Sequence, residues 1–325
     1  MSGLEPPPGA SALSGPTTGG ADVKVARRKR RYSVLTRRDK VMMALMVGIP
    51  TILFISFIWL PAIASVFLSF TNWRGITPLT ENNFIGLRNY EVLFTTYPFF
   101  WPAVWHNILW LLTFVFIATP IGIFIAVLLD REMRGTRIYQ SAFFIPVVLS
   151  LAIVGFIWEQ MYTSQGFINS LLGRTSSDTA IGFLGDPSIN IWAVLVAASW
   201  RQVGYVMVLY LAGLKSVDPT LREAAAIDGA NARQTFFRVV FPVMKPINIV
   251  ILVITVIESL RAFDIAYIIN RGKNGLELLS ILITNNSISE ASLIGFGSAI
   301  AVVLLVISLV PIVIFLTRTM REDAT

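Results

Sequence analysis

Residues 292–317 read Ser292-Leu-Ile-Gly-Phe-Gly-Ser-Ala-Ile-Ala-Val-Val-Leu-Leu-Val-Ile-Ser-Leu-Val-Pro-Ile-Val-Ile-Phe-Leu-Thr317 and contain no charged side chain. A helix needs about 20 apolar residues to cross the hydrocarbon core of a bilayer, and this run is long enough. Only helices and closed barrels satisfy their backbone groups inside lipid, and the run lacks the alternation of a barrel strand. It therefore predicts a transmembrane helix.

Five earlier blocks share this apolar character, and they cover residues 41–70, 105–129, 138–158, 191–213 and 247–269. Of the 325 residues, 55% are hydrophobic and 14% are charged, whereas a soluble domain carries about 25% charged residues. This composition excludes a soluble globular enzyme. The sequence predicts an all-α membrane protein with six transmembrane helices, which together form a domain over residues 41–320.

The residues that most enzyme and metal sites require are scarce. The chain has no cysteine and one histidine, His106, which excludes disulfides, thiolate metal sites and a histidine-rich metal centre. It has no G-x-x-x-x-G-K-[ST] motif for binding ATP. We therefore expect no catalytic residue, no metal and no cofactor on this chain, and no enzyme activity of its own.

The basic residues are distributed unevenly and indicate topology. Residues 1–40 hold nine basic and three acidic residues of a chain whose net charge is +7. Residues 1–23 are rich in Pro, Gly, Ser and Thr, so we expect residues 1–40 to form a disordered basic cytoplasmic tail. With the N-terminus inside, 19 basic residues lie in cytoplasmic segments and five in outer loops. This bias predicts that both termini, including a short tail at 321–325, are cytoplasmic. It favours a membrane signal over nucleic-acid binding.

The cytoplasmic loop over residues 214–246 has the signals of two short helices. Asp218 followed by Pro219 is typical of a helix start, and we expect a slim, Ala-rich helix over 221–227. Gly229 predicts a tight turn, because glycine adopts the left-handed conformation without steric cost. A second helix is expected over 231–241, ending at Pro242.

This loop resembles the EAA loop of permeases of ATP-binding cassette (ABC) importers. The family pattern is E-A-A, three residues, G, nine residues, I, one residue, L-P, with Val239 and Phe241 here in place of Ile and Leu. In that family the loop is a coupling helix that docks into a cleft of a cytoplasmic ATPase subunit. The resemblance implies the same ATPase-coupling role for the matching residues of this chain, which are Glu223, Ala224, Ala225, Asp228, Gly229, Ala230 and Pro242.

The resemblance implies a fold, partners and a solute class. It implies the type I ABC importer permease fold in the inner (plasma) membrane of a bacterium or archaeon. It also implies a second homologous permease subunit, two ATPase subunits that carry ATP and Mg, and an extracytoplasmic solute-binding protein. Phe263-Asp264-Ile265-Ala266-Tyr267 and Gly297-Ser298-Ala299 resemble the sugar-type branch. The short, charged C-terminal stretch without a glycine-rich ending resembles that branch's maltose-F-like subunit. Arg271-Gly272-Lys273-Asn274-Gly275 departs from that branch's Gly-Gly-Pro stretch. Glycerol phosphate, peptide or other non-sugar solutes, and an ion-coupled secondary transporter, remain as alternatives.

Charged residues inside the predicted spans mark a candidate solute path. A charge at a helix centre costs about 2.5–3.5 kcal/mol on insertion scales, so such groups face a bundle interior or a water-filled path. On one continuous helix, residues 258–264 would cover about 9 Å and one face. The candidates are Arg201, Glu258, Arg261 and Asp264, with Trp200, Tyr205 and Tyr267 as aromatic surfaces for a sugar. Alternatively, i,i+3 ion pairs neutralise the charges, or the group contacts the sister subunit.

Overall fold

The computed structural model describes residues 36–131, 134–174, 176, 178–288 and 292–322. Most of the predicted tail, residues 1–35, and the C-terminal residues 323–325 lie outside this part of the chain. The part that is described is helical and contains no strand. Its α-helices are α1 Arg37–Phe54, α2 Leu60–Leu68, α3 Arg88–Thr95, α4 Phe100–Thr113, α5 Thr119–Asp130, α6 Thr136–Val148, α7 Leu151–Tyr162, α8 Phe167–Leu171, α9 Asn190–Ser216, α10 Pro219–Ile227, α11 Ala232–Thr235, α12 Phe241–Val243, α13 Lys245–Leu260, α14 Asp264–Asn270, α15 Leu279–Ser287 and α16 Ile294–Glu322. Three π-helical turns and one 3₁₀ turn interrupt or join them, at Ile55–Trp59, Phe114–Ala118, Phe236–Val240 and Glu81–Asn83.

The described residues divide into two compact units, the first ending at Ile55 and the second beginning at Ser56. In the first unit, α1 begins at Arg37, so residues 37–40 of the predicted tail are helical. Thr36 caps α1: its hydroxyl accepts a hydrogen bond from the Asp39 backbone N–H, and the Asp39 carboxylate accepts one from the Thr36 N–H. This reciprocal pair is a capping box, which satisfies two backbone donors at the helix start.

The second unit is built around α9, which carries the largest set of buried side chains of any helix in the described chain. Helices α5 and α6 pack against α9, while α14 packs against α7, and α2 and α15 pack against α16. Helix α5 approaches α9 closely at Gly122, where an added Cβ would lie 2.8 Å from the Val203 carbonyl oxygen and from Val206 Cβ. Only glycine fits at this crossing.

Four helices are long and apolar enough to span a membrane, and the number rises to six if each of two bent pairs is one span. The four are Arg37–Leu68, Phe100–Asp130, Asn190–Ser216 and Ile294–Val313. The predicted third span corresponds to Thr136–Val148 with Leu151–Leu171, bent by 99°. The predicted fifth lies within Lys245–Asn270, which is bent by 76° against the preceding Ala232–Val243 and is interrupted between α13 and α14. Every predicted apolar block is therefore helical, but the third and fifth are not straight.

The bend in the third block has a local cause. Ser150 has extended backbone, and its hydroxyl accepts a hydrogen bond from the Ile153 N–H, which starts the new helix α7. Serine is a favoured N-cap because its side chain replaces a missing backbone acceptor. Pro146 lies in the preceding turn, within α6, and removes a backbone donor there. The apolar composition of residues 138–158 conceals these two signals.

Candidate functional site

The four charged residues singled out in the predicted spans meet at one cavity of about 240 Å³. Helices α4, α7, α9, α13 and α14 contribute to its wall. The lining residues are Trp110, Phe114, Leu151, Ala198, Arg201, Gln202, Glu258, Arg261, Ala262, Phe263, Asp264 and Ile265. Charged groups and aromatic rings in one enclosed space suit a polar solute, because the charges orient it and the rings supply apolar area.

Glu258, Arg261 and Asp264 do not lie on one continuous helix, which corrects the sequence-based geometry. Helix α13 ends at Leu260, and α14 begins at Asp264. The Ser280 hydroxyl donates a hydrogen bond to the carbonyl of Ala262 in the interruption. This side chain from another element satisfies a backbone acceptor that the broken helix leaves free. The interruption exposes Arg261 and Asp264.

The cation nearest to Glu258 lies on another helix rather than on α13 itself. Arg201 Nη1 on α9 lies 4.0 Å from Glu258 Oε2, with side-chain exposures of 23% and 37%. No ion pair joins Arg261 to Glu258 or Asp264 among the described residues, so the i,i+3 pairing expected as an alternative is wrong. At 4.0 Å and with partial exposure, the Arg201–Glu258 contact is weak and leaves both groups accessible to a solute.

The polar contacts behind the cavity fix α9 against α13. Gln202 is buried, and its side-chain amide donates a hydrogen bond to the Thr255 hydroxyl at 3.3 Å. Thr255 Oγ1 also lies 3.5 Å from Thr119 Oγ1 on α5. These contacts join three helices next to the Arg201–Glu258 pair, so the pair sits on a fixed frame.

The three predicted aromatic contacts lie outside this lining. Trp200 packs edge-on against Trp158, with ring centroids 5.8 Å apart, and Tyr267 stacks on Phe263 at 4.9 Å. Tyr205 is half-buried on α9 and does not line the cavity either. The aromatic rings at the cavity are Trp110, Phe114 and Phe263. Trp110 and Phe114 are i,i+4 neighbours in the second apolar block. This spacing, which places both rings on one face of a helix, is the sequence feature that could have identified them.

The loop over residues 214–246 forms the helix–turn–helix that the sequence predicts, with different boundaries. Helix α10 starts at Pro219, and the Asp218 carboxylate accepts a hydrogen bond from the Thr220 N–H at 2.9 Å. This bond lowers the pKa of Asp218 below its ordinary value of 3.8, because it stabilises the charged form. Gly229 turns the chain with a φ of 79°.

The second half of the loop is not one helix ending at Pro242. Helix α11 covers Ala232–Thr235, a π-helical turn follows over Phe236–Val240, and α12 covers Phe241–Val243. The widened turn ends two residues before Pro242, which has no N–H to donate to the preceding turn. The chain therefore bends after α12 rather than at the proline.

The motif residues of this loop border an open groove of about 500 Å³. Its walls are Leu221, Ala224, Ala225, Asp228, Gly229, Ala230, Gln234, Arg238 and Val239. Glu223 is exposed on α10, outside the lining, and Pro242 lies outside it as well. Small side chains on one wall leave the backbone accessible, which suits docking of a partner's side chains. No group of three or more His, Asp or Glu side chains in the described chain is arranged to hold a metal.

Known proteins resemble this chain over most of its length. The family model of the binding-protein-dependent transport system inner membrane component matches residues 26–321. A probable ABC transporter permease protein of Pyrococcus horikoshii is 31% identical over 82% of this chain and 92% of its own. The trehalose/maltose transport system permease protein of Thermococcus litoralis is 30% identical over 80% and 88% of the two chains.

A solved structure has the same fold. It is the bacterial alginate ABC transporter in complex with an alginate pentasaccharide-bound periplasmic protein, with a TM-score of 0.75 and 22% identity over 89% of this chain and 96% of that one. The family match and the Pyrococcus horikoshii relative confirm the resemblance inferred from residues 223–242, and the protein is a membrane component of a transport system rather than an enzyme. The chain belongs to the binding-protein-dependent transport system inner membrane components, and it is a permease subunit of an ABC importer.

Proposed function

We propose that this permease carries a sugar, and that the cavity bordered by Arg201, Glu258, Arg261 and Asp264 is part of the solute path. The observation that carries the proposal is the cavity itself, which combines two arginines, two carboxylates and three aromatic rings. Hydroxyl groups of a sugar form hydrogen bonds with such charged groups, and its apolar ring face packs on an aromatic side chain. Of the three rings, Phe263 is half-buried, whereas Trp110 and Phe114 are buried. The names of the relatives, trehalose/maltose and alginate, support the same solute class.

In this proposal the chain crosses the membrane six times, with both termini in the cytoplasm. The bent pair Thr136–Val148 with Leu151–Leu171 provides the third crossing, and Lys245–Asn270 provides the fifth, with Ala232–Val243 before its bend in the cytoplasmic loop. The permease domain covers residues 41–320, between the basic tail 1–40 and the short tail 321–325. Exposed apolar side chains on the outer helices, among them Phe57, Phe116 and Phe124, then face lipid or a second permease subunit.

The loop over residues 214–246 couples the permease to ATP hydrolysis on partner chains. An ATPase dimer carries ATP and Mg, and each permease subunit docks on one ATPase copy. The exposed Glu223 and the groove beside Ala224, Ala225, Asp228, Gly229 and Ala230 suit this docking. ATP binding closes the dimer, the loop carries the displacement to the helices, and the cavity opens outward to receive solute from a binding protein. Pro242 lies at the base of the loop, where a stiff backbone supports transmission of the displacement.

Purification of the tagged chain from its own membranes, with mass spectrometry of co-purified proteins, tests the partners. A second permease, a P-loop ATPase and a solute-binding protein are the expected outcome. Purification of the chain alone, under conditions that keep other importers intact, would contradict the assembly and favour an ion-coupled carrier. Uptake assays of maltose, trehalose, glycerol 3-phosphate and a short peptide then test the solute class.

A second test addresses the loop. Glu223→Lys and Gly229→Asp should abolish ATP-driven uptake while the six-helix domain still inserts. Uptake at the wild-type rate with either variant would contradict coupling through this loop.

A further inference from the structure

The two halves of the cytoplasmic loop are attached to the rest of the molecule in different ways. In the second half, Val240 and Met244 are buried in an apolar cluster with α5 and α9, and Phe236 packs against it. In α10, the one buried side chain is that of Ala225. A single methyl group cannot fix the position of a nine-residue helix by burial.

Arg222 supplies the missing attachment. Its Nη1 donates a hydrogen bond to Asp130 Oδ2 at 2.7 Å, and its Nη2 donates one to the Leu214 carbonyl at 3.3 Å. Asp130 is the last residue of α5, and Leu214 lies in the last turn of α9. One guanidinium group therefore connects α10 to the ends of two helices. Its planar fork allows this, because its N–H groups point in fixed, separate directions.

The Asp130–Arg222 pair is selective within a basic neighbourhood. Arg137 and Lys215 border a cavity of about 610 Å³ together with Asp130, and Arg131 borders the adjoining groove. Among the described residues, Arg222 is nevertheless the cation that lies within ion-pair distance of Asp130. The side-chain exposure of Asp130 is 15%, and that of Arg222 is 37%. Water therefore competes less for this carboxylate than for a surface carboxylate.

The rest of the connection to α10 is made of non-helical joints. Val217 and Asp218 have extended backbone before the helix, and Gly229 has left-handed backbone after it. The anchors of Arg222 are firm by comparison, since α5 and α9 are in close contact at Gly122. Helix α10 also contacts α11 and the π-helical turn Phe236–Val240. Removing the guanidinium would therefore remove the direct polar connection of α10 to α5 and α9 and leave only the indirect contact through the second half of the loop.

We propose that the Asp130–Arg222 ion pair is the clamp through which movement of α10 is transmitted to α5 and α9, with Arg222 as a positioning residue. This inference rests on the proposed coupling role of the loop. Arg222 is adjacent to Glu223, so a displacement imposed on the exposed face of α10 reaches the clamp within one residue. Arg201, at the cavity, lies on α9, one of the two clamped helices.

The test measures movement without requiring knowledge of the solute. The chain has no cysteine, so Leu151→Cys places a single thiol in the cavity lining. Its rate of modification by a thiol reagent is measured by mass spectrometry in the complex co-purified with its ATPase. A non-hydrolysable ATP analogue should change this rate about fivefold or more if the cavity opens or closes. ATP hydrolysis by the same preparation reports assembly.

The clamp predicts a specific pattern among four backgrounds. Arg222→Gln and Asp130→Asn should each remove the nucleotide-dependent change, while the complex still assembles and hydrolyses ATP. The double variant should be no worse than either single variant, because partners in one contact are non-additive. Exchanging the charges, Asp130→Arg with Arg222→Asp, should restore at least part of the response. Lys215→Gln is the matched control, which removes a neighbouring cation that is not paired with Asp130, and it should behave as wild type.

Two results would overturn the clamp: a full nucleotide response in both single variants, or strictly additive losses in the double variant. The Glu223→Lys variant separates this failure from failure of the proposed function. If Glu223→Lys abolishes the response and the Arg222 and Asp130 variants do not, the loop couples by another route. If the unaltered complex shows no response to nucleotide, the proposed coupling itself is wrong.

Discussion

Arg261 and Asp264 are the residues at which solute contact is most directly testable. Both are exposed at the cavity, and neither has an ion-pair partner in the described chain. A charged group that hydrogen-bonds a ligand contributes about 1.5–3 kcal/mol. We therefore expect Arg261→Ala or Asp264→Ala to raise the solute concentration for half-maximal uptake by about tenfold or more. Unchanged uptake kinetics in a correctly assembled complex would exclude both residues from the path, and Arg174→Ala, an exposed arginine outside the cavity, is the control.

Asp218 gives the loop a defined response to acid. Hydrogen bonding from Thr220 lowers the pKa of Asp218 in the folded protein below 3.8. The carboxylate therefore stabilises the start of α10 above about pH 3.8, and this contribution is lost as the pH falls through the lowered pKa. Asp218→Asn keeps an acceptor oxygen that does not titrate, whereas Asp218→Ala loses the cap at every pH.

A spin label on Ile227→Cys, which is exposed at the other end of α10, measures this effect. In the Asp218 protein, the label should become more mobile as the pH is lowered below 3.8. In the Asp218→Asn protein, its mobility should change less over the same interval, because the cap no longer titrates. Equal pH dependence in both would show that Asp218 is not the group that titrates.

At the scale of the helices, the sequence predicts where the apolar elements lie but not where they break. Residues 247–269 are mostly apolar and contain neither glycine nor proline, and Ala262 and Phe263 are not helix-breaking residues. The interruption there is stabilised by Ser280, whose hydroxyl donates a hydrogen bond to the Ala262 carbonyl. Ser280 is distant in sequence. The ion pair of Glu258 could not be predicted for the same reason, because its partner Arg201 lies on a different helix, α9. Local signals such as Asp218-Pro219 and Gly229 were sufficient for the two ends of α10, because its N-cap and the turn after it are formed by neighbouring residues.

Close packing of α5 against α9 predicts a sharp difference between two helical glycines. An alanine at Gly122 would bring its Cβ to 2.8 Å from the Val203 carbonyl oxygen, whereas nothing lies within 4 Å of the same atom at Gly48. Overpacking of this kind costs about 1–3 kcal/mol, so Gly122→Ala should lower the midpoint of thermal unfolding. Gly48→Ala should leave the midpoint unchanged or raise it, since alanine favours a helix by about 1 kcal/mol. The midpoint is measured on detergent-purified protein, and equal midpoints for the two variants would contradict the close contact.

For the whole molecule, the open choice is whether the two bent pairs cross the membrane or turn back within it. Of the 26 basic residues, 19 lie on one side of the membrane only if both pairs cross it. This bias favours six crossings. If Thr136–Val148 with Leu151–Leu171 turned back instead, Arg134 and Ser176 would lie on the same side. A chain without cysteine allows single cysteines at Thr77, Arg134, Ser176, Ile227 and Lys273, all exposed.

A membrane-impermeant maleimide added to spheroplasts, whose cytoplasmic membrane is intact, should label the cysteines at 77, 176 and 273. Those at 134 and 227 should react only after the membrane is made permeable, because they lie on the cytoplasmic side in the six-span topology. Protection of position 176 together with position 134 would make the first bent pair re-entrant. Position 273 tests the second pair in the same way, since Lys245–Asn270 must carry it across. Labelling of 176 and 273 from outside would place Asp130, Arg222 and the groove beside Gly229 together on the cytoplasmic side, where the proposed ATPase docks. A displacement of α10 on that side could then reach the cavity through α5 and α9, the two helices that Arg222 contacts.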